Sequence, residues 1–294
     1  MRATPKSSMV AVCGREFSEP ELDVIRAIIA DEAQPCRAEI ARRTCRELGW
    51  VDATGRLKAM SCRVALLRLE QRGLLALPPP RNGNGNRKGY QPSELLDVPA
   101  DEVVGSARSI DGLRLLPVTT KTESRLWNEA IARFHYLGYK PLAGAQQRYL
   151  VWSDQGLLGA MGFGASAWSV EPRDRWIGWS PEQRRAGLHR VVNNARFLLL
   201  PWVHVQNLAS RVLGLAASRI RLDWSRRYGF EPVLLETFVE RTRFTGTCYR
   251  ASNWTCVGET KGRGKLDRCN EWALPVKRVF VQPLTKRWRE VLCS

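Results

Sequence analysis

The sequence has little histidine and no cysteine pattern that would bind zinc. Three of its 294 residues are His and eight are Cys. No two cysteines are spaced as Cys-x-x-Cys, so a structural zinc site of the usual spacing is not expected. No apolar run approaches the ~20 residues of a membrane-spanning helix, and the N-terminal stretch lacks the apolar core of a secretory signal. These absences predict a cytoplasmic protein with reduced thiols and no membrane partner.

Positive charge, by contrast, is in excess. Lys and Arg number 46 against 29 Asp and Glu, which gives a formal net charge of +17 and a pI near 10.1. Such a field attracts polyanions, and nucleic acid, DNA above all, is the expected partner. The hydrophobic content of 44% excludes wholesale disorder, and the length is typical of about two domains.

Residues 1–90 predict a small DNA-binding domain. A capping box of Ser18 and Glu21 opens a first amphipathic helix, two more helices follow, and the leucines of residues 74–77 predict a strand. This order resembles a winged helix-turn-helix, whose third helix enters the major groove; a three-helix adaptor with a solvated basic face is the alternative. The side chains expected to contact DNA are Lys58, Arg63, Arg68 and Arg72 on the third helix, with Arg87 and Lys88 in the following loop.

The rest of the chain predicts an acidic, proline-containing linker over residues 91–116 and an α/β domain with a basic C-terminal extension over 117–294. Hydrophobic periodicity predicts the elements of this domain in chain order: a helix at 120–138, a hairpin at 148–164, a loop at 172–179, a helix at 181–194, a strand at 195–201, a helix at 204–228, a strand at 232–239, a short helix at 245–254 and a strand at 255–262.

Several stretches of this domain carry a family resemblance. The order of elements resembles the GNAT (acetyltransferase-like) fold. The segments FHYLGY, RDRWIGW, NNARFLLLPWV, DWSRRYGFEPVLLETFV and GTCYRASNWTCVGETKGRG resemble the DruA-type domain of the Druantia anti-phage systems, which also occurs beside transposase segments. A weaker likeness, through the His-Tyr pair and GTCYRASNW, is to Mom-type phage proteins that alter adenine in DNA. The resemblance implies a GNAT-like mixed β-sheet in a protein of phage defence or of a mobile element.

One loop departs from the GNAT pattern. Acyl-CoA-binding members carry Gln/Arg-x-x-Gly-x-Gly/Ala after the central strand, and its backbone N–H groups hold the pyrophosphate at a helix N-terminus. Here the corresponding segment, PWVHVQNLAS, has no glycine. Trp202 and two β-branched valines make a close backbone approach to pyrophosphate sterically poor. The donor cofactor is therefore unknown from the sequence.

Residue types within the matching stretches suggest proton-transfer chemistry. His135 is the natural general base near neutral pH, and Tyr136 can donate a proton or a hydrogen bond; a helix-terminal His bonded to carbonyls is the alternative for the first. By the GNAT resemblance, Tyr249 takes the place of the general acid, with a core aromatic as its alternative. Four polar side chains are expected around the cofactor end of the central strand, where helix capping is the alternative for the last two: Asn194, Arg196, Asn207 and Ser210.

Two acids, Glu236 and Asp223, occupy apolar or basic surroundings. Glu236 lies in a buried strand, where a carboxylate is costly unless paired, so an ion pair with Arg196 or Arg221 is expected. A general base, or a Mg²⁺ ligand together with Asp174, is the other interpretation, and Glu236 and Asp223 are both candidate catalytic residues. Further nucleic-acid contacts are assigned to a strand residue and a glycine-spaced basic loop without P-loop spacing: Arg148, Lys261, Arg263, Lys265 and Arg268.

Charge and resemblance together predict an enzyme that binds DNA and modifies an extruded base, with other defence-system subunits as further partners. Two other classes remain open. One is a non-catalytic DNA-binding subunit of a defence complex. The other is a metal-dependent nuclease or strand-transfer protein.

Overall fold

The computed structural model describes residues 9–31, 35–80, 90, 92–262 and 274–294. The chain divides into two compact units, Met1–Gly89 and Tyr90–Ser294. Among the helices of the described residues, none is long and apolar enough to cross a membrane.

The first unit is a small helical body with one hairpin. Its described elements are β1 (Val10–Val12), β2 (Arg15–Phe17), α1 (Glu19–Ile29), α2 (Arg37–Glu47) and α3 (Ala59–Gln71). The predicted capping box is present, because the Ser18 N–H donates to Glu21 Oε2 at 2.9 Å. The core is formed by side chains that the helices and β2 bury together, among them Phe17, Leu22, Ile40, Leu66 and Leu69.

The strand predicted after α3 is not formed among the described residues 72–80. The Leu74 N–H donates to the Leu69 carbonyl at 3.0 Å, and the Leu77 N–H donates to Glu70 Oε1 at 2.9 Å. These amides therefore close the end of α3 instead of pairing with a neighbouring strand. The only strands described in this unit precede α1, and the predicted DNA contacts Arg87 and Lys88 lie outside the described residues.

The second unit has nine further strands and six α-helices among its described residues. The elements are β3 (Val103–Ser106), β4 (Arg114–Pro117), α4 (Lys121–Phe134), β5 (Gln146–Ser153), β6 (Gly156–Ala165), α5 (Glu171–Ile177), α6 (Pro181–Gly187), β7 (Val191–Leu199), β8 (Val203–Gln206), α7 (Leu208–Tyr228), β9 (Leu234–Glu240), α8 (Thr247–Ala251), β10 (Thr255–Glu259), β11 (Lys277–Pro283) and α9 (Trp288–Leu292). The segment expected to be a linker thus supplies β3 and most of β4.

Seven strands form one mixed sheet in the order β10-β11-β9-β7-β6-β5-β4. Every neighbouring pair is antiparallel except β7 and β9, which run parallel. Their pairing covers only Val191–Asn193 against Leu234–Glu236, although both strands continue. The two strands therefore separate beyond this point and leave an opening in the sheet. β3 and β8 form a separate parallel pair.

Several predicted boundaries are wrong, and side-chain burial explains them. Residues 172–179, predicted as a loop, contain most of α5. The helix predicted to 194 ends at Gly187, and β7 begins at Val191 because Val191 and Val192 are buried in the sheet. The long helix begins at Leu208 rather than at 204; before it, buried Val203 and Val205 alternate with exposed residues, which is the strand period. β11 was not predicted at all.

Candidate functional site

Three elements meet where β7 and β9 separate. The Tyr249 hydroxyl, from α8, donates to Asn194 Oδ1 on β7 at 2.9 Å. The Thr237 hydroxyl, from β9, donates to the Asn194 carbonyl at 3.0 Å. Asn194 Nδ2 in turn donates to the carbonyls of Gly162 at 3.3 Å and Arg196 at 3.1 Å. Asn194 thereby ties α8 and β6 to the edge of the opening, and its side-chain polar atoms are all used within the protein.

A β-bulge redirects β7 at the same place. The register with β6 shifts between Gly162 and Phe163, so that Ala195 has no partner, and a bulge of this kind changes the direction of the next side chains. A Cβ on Gly162 would lie 2.9 Å from the Trp127 ring and 3.4 Å from Arg196 Cβ. Arg196 therefore lies over a glycine, on the face of the sheet that Trp127 of α4 covers.

Arg196 is a half-buried cation without an acidic partner. Its Nη1 donates to the Ala195 carbonyl at 2.7 Å, while Nε is buried and has no hydrogen-bond partner. No carboxylate in the described part of the chain pairs with it. Burial lowers the pKa of Arg196, and the nearby Tyr136 hydroxyl opposes that shift. A guanidinium in this setting is costly unless a ligand supplies hydrogen-bond acceptors.

His135 and Tyr136 follow the last residue of α4 and adjoin Arg196. The Leu137 N–H donates to His135 Nδ1 at 3.2 Å, and the two rings stack with centroids 5.0 Å apart. Burial, and then the charge of Arg196, lower the pKa of His135 to about 4. At neutral pH the ring is therefore uncharged and carries its proton on Nε2. This arrangement suits a hydrogen-bond donor better than the general base expected from the sequence.

The pKa of His135 makes the stability of the protein depend on pH. The unfolded chain takes up a proton on this residue below about pH 6.5, whereas the folded ring stays neutral down to about pH 4. The contribution of the neutral His135 to the free energy of unfolding is therefore fully present above pH 6.5 and is lost as the pH falls from 6.5 to 4. This loss is about 2 kcal/mol after allowance for contact of the ring with solvent. Urea unfolding should show this loss in the wild type and not in His135→Gln. A His135 proton resonance that titrates near pH 6.5 would contradict the account.

An aromatic and basic rim borders the opening. We use the name stacking rim for Tyr136, Arg243 and Phe244. The Tyr136 and Phe244 rings meet edge to face at 5.3 Å, and the Arg243 guanidinium lies 5.3 Å from the Tyr136 centroid. Glu240 accepts from Arg243 Nε at 3.0 Å. Burial, then the Glu240 charge, raise the pKa of Tyr136, so this hydroxyl is protonated at neutral pH.

The other sequence-predicted site residues lie in different places. Tyr249 is buried and burial raises its pKa, so its hydroxyl serves as a donor. Asn207 immediately precedes α7, and the Ser210 hydroxyl donates to its carbonyl at 3.0 Å. These two residues line a separate pocket of about 520 Å³ that does not include His135 or Arg196.

The residues before α7 do not fit the acyl-CoA pattern. In place of a glycine loop with free backbone N–H groups, residues 203–206 form β8 and pair along their length with β3. Trp202 and Val205 are buried. The segment before α7 is thus a paired strand without glycine, and no role for coenzyme A follows from these residues.

Glu236 and Asp174, the two predicted Mg²⁺ ligands, both pair with Arg173. Arg173 Nη1 donates to Glu236 Oε2 at 2.7 Å, with both side chains fully buried, so the partner is neither Arg196 nor Arg221. Arg173 Nη2 also donates to Asp174 Oδ1 at 2.7 Å, which puts a cation between the two carboxylates. Burial raises the pKa of Glu236, and the Arg173 charge opposes this shift. Within the described ranges no group of three or more His, Cys, Asp or Glu side chains is placed to hold a metal ion.

Asp223 is part of a different network. It accepts from the Tyr149 hydroxyl at 2.9 Å and from Arg219 Nε at 2.6 Å. Arg219 Nη1 also donates to the Leu115 carbonyl at 2.7 Å. Asp223 therefore joins α7 to β5 and β4, and it does not adjoin the opening.

The predicted nucleic-acid contacts are scattered. Arg148 is half-buried, donates to Asn128 Oδ1 at 3.1 Å and lies over the Trp127 ring at 5.3 Å. Lys261 pairs with Glu171 at 2.8 Å. On α3 and directly beside its two ends, four of the expected residues are exposed: Lys58, Arg63, Arg68 and Arg72. Three others lie outside the described residues: Arg263, Lys265 and Arg268.

Sequence reasoning missed the loop that supplies most of the rim. The segment RTRFTG, residues 241–246, joins β9 to α8 and exposes Phe244 directly after Arg243. An apolar ring preceded by two arginines in a predicted loop was a signal that could have been used. Arg173 was missed as the partner of Glu236, because the two lie 63 residues apart.

The mixed sheet, with a single parallel pair that opens beside a long helix and a tyrosine-bearing short helix, defines a GNAT-like α/β protein. Residues 68–291 match the family model described as Druantia protein DruA. The chain belongs to this defence-associated family, and the resemblance seen in the sequence is confirmed.

Solved structures with similar folds are acetyltransferases. Aminoglycoside acetyltransferase AAC(6')-Ib in complex with coenzyme A is 14% identical, and the match covers 61% of this chain and 96% of that one, with a TM-score of 0.37. The Salmonella typhimurium enzyme that modifies the N-terminal serine of ribosomal protein L7/L12 is 14% identical over 57% and 78%, with a TM-score of 0.30. A GNAT acetyltransferase from Bacillus cereus is 10% identical over 46% and 69%, with a TM-score of 0.29. Comparison with curated proteins gives no significant match.

Proposed function

We propose that the second unit binds DNA at the opening between β7 and β9 and modifies a base there. The observation that carries this proposal is Arg196, a half-buried guanidinium with an unpartnered Nε, next to the stacking rim and the neutral His135. Phosphate oxygens and base carbonyls supply the acceptors that such a cation lacks. The exposed Phe244 ring of the rim provides a face on which an extruded base can stack.

The charge of the opening favours this substrate over a cationic amine. Lysine side chains and aminosugars carry ammonium groups, which a site needs acidic residues to attract. Here the nearby carboxylate, Glu240, is already paired with Arg243, and Arg196 repels a second cation. The exocyclic amine of a nucleobase is uncharged and is attached to a polyanion, so this electrostatic objection does not apply to it.

The residues can be given roles within this proposal. His135 Nε2–H donates to an acceptor on the base and fixes its orientation, while Arg196 binds a phosphate or carbonyl oxygen. Tyr249 and Asn194 hold the bulge that aims Arg196. The modification exchanges one N–H bond of an exocyclic amine for a bond to the group delivered by an activated electrophilic donor. The leaving group of the donor departs with the bonding pair, and the amine proton passes to solvent.

The first unit is proposed as an accessory contact with duplex DNA. α3 exposes Arg63 and Arg68, and beside them Val64 and Leu67 are 43% and 39% exposed. Arginines contact phosphates and base edges, and small apolar side chains contact thymine methyl groups. That the first unit is a winged helix-turn-helix, as the sequence predicts, is part of this proposal.

Mass spectrometry of nucleosides tests the central proposal. DNA from cells that express the wild-type chain is expected to contain a nucleoside of increased mass, which is absent after expression of His135→Ala. The added mass identifies the transferred group. Unmodified DNA, together with intact DNA binding in a gel shift, would overturn the modification and leave a non-catalytic DNA-binding subunit.

A further inference from the structure

The aromatic side chains of the stacking rim are more exposed than side chains that pack in a hydrophobic core. Phe244 and Tyr136 are 48% and 36% exposed, and their rings meet at the edge of the opening. Arg241, Arg243 and the other residues up to Thr245 are exposed in the same loop. Exposed rings beside exposed cations form a surface whose chemistry is both aromatic and basic.

The loop that carries Phe244 is held in place by two arginines. Arg250 Nη1 donates to the Thr245 carbonyl at 2.8 Å. Arg278 Nη1 donates to the carbonyls of Phe244 and Thr245, each at 3.4 Å. Gly246, with φ of +77°, ends the loop, and a Cβ there would lie 2.6 Å from the buried Phe280 ring. The exposed position of Phe244 is therefore imposed by the fold, so binding a ligand costs little ordering of this loop.

We infer that the stacking rim binds single-stranded DNA, with a base stacked on Phe244 and phosphates on Arg241 and Arg243. Stacking on a ring requires an unpaired base whose face is free, whereas in a duplex both faces are covered by neighbouring base pairs. The two arginines pair with Glu259 and Glu240 at the protein surface, and the charge that follows a phosphate backbone comes from exchanging these exposed pairs for phosphate contacts. The inference rests on the proposed function and narrows its substrate class from DNA in general to unpaired DNA.

Fluorescence anisotropy on the full chain tests this inference. A labelled 12-nucleotide single strand and the duplex of the same sequence serve as probes. Phe244→Ala is expected to weaken single-strand binding by about tenfold or more, in line with the loss of one stacked base, and to change duplex binding by less than about twofold. Phe244→Trp is expected to retain single-strand affinity.

A matched control removes an exposed ring elsewhere. Trp168 is 58% exposed and has the Arg184 guanidinium 5.6 Å from its centroid, so it reproduces the aromatic–arginine pairing away from the rim. Trp168→Ala is expected to leave single-strand affinity unchanged. An equal loss for single strand and duplex in Phe244→Ala, no loss in either, or tighter binding of single-stranded RNA than of DNA would overturn the inference. Single-strand preference without any modified nucleoside would uphold it and refute the catalytic proposal alone.

Discussion

Arg196→Ala is expected to lower the fraction of modified nucleoside by about a hundredfold or more, the scale seen when a charge-stabilising donor is removed from an active site. The same substitution is expected to leave the free energy of unfolding unchanged, or to raise it by up to about 1 kcal/mol. The reason is that Arg196 pairs with no carboxylate in the part of the chain that the structure describes, so its removal breaks no ion pair and relieves a partly desolvated cation.

The control is a substitution that removes the same positive charge at another position. Arg226→Ala removes an exposed arginine at the end of α7, and it is expected to change neither modification nor stability beyond experimental error. Nucleoside mass spectrometry and urea unfolding supply the two readouts. A large loss of stability in Arg196→Ala would mean that this arginine holds the fold together, and it would remove the observation on which the proposed function depends.

The largest effect on stability is expected for the buried pair of Arg173 and Glu236. Arg173→Met leaves the Glu236 carboxylate unpaired in the interior and should cost about 3–5 kcal/mol of unfolding free energy. Glu236→Leu leaves Arg173 with Asp174 as its remaining partner and should cost less. The double variant replaces both charges with apolar side chains of similar volume. Such replacement is often close to neutral, so the double variant should be more stable than Arg173→Met.

Chemical denaturation of the four proteins completes this double-mutant cycle. The coupling free energy between the two positions tests the geometry of the pair. Both side chains are fully buried, and Arg173 Nη1 lies 2.7 Å from Glu236 Oε2. Additive losses would show that the two residues do not interact. If Glu236→Leu were as stable as the wild type, the carboxylate would not be needed for folding, and Glu236 would again be a candidate catalytic residue.

Local features of the fold were accessible from the sequence. The predicted capping box of Ser18 and Glu21 is formed, and the hairpin of β5 and β6 turns where it was expected. These features depend on residues that are close in the chain, where hydrogen-bonding chemistry and side-chain period act directly. The assembly of His135, Tyr136 and Arg196 came from the family resemblance, since no spacing rule brings residues from α4 and β7 together.

The remaining features depend on contacts between distant residues. The pairing of β8 with β3 converts the expected start of a long helix into a strand. The bulge at Gly162 and Phe163 cannot be seen in either strand alone. The separation of β7 and β9 depends on where the pairing of the two strands ends, and neither strand alone shows that point. Each is a property of the assembled sheet, and so is the environment that lowers the pKa of His135.

The claim that the opening modifies a DNA base is tested most directly by digesting DNA from three strains and weighing the nucleosides. The strains carry an empty vector, the wild-type chain and Arg196→Ala. One nucleoside with an added mass is expected in the wild-type sample, and its amount should fall by about a hundredfold or more with Arg196→Ala. Identical nucleoside masses in all three samples would contradict it.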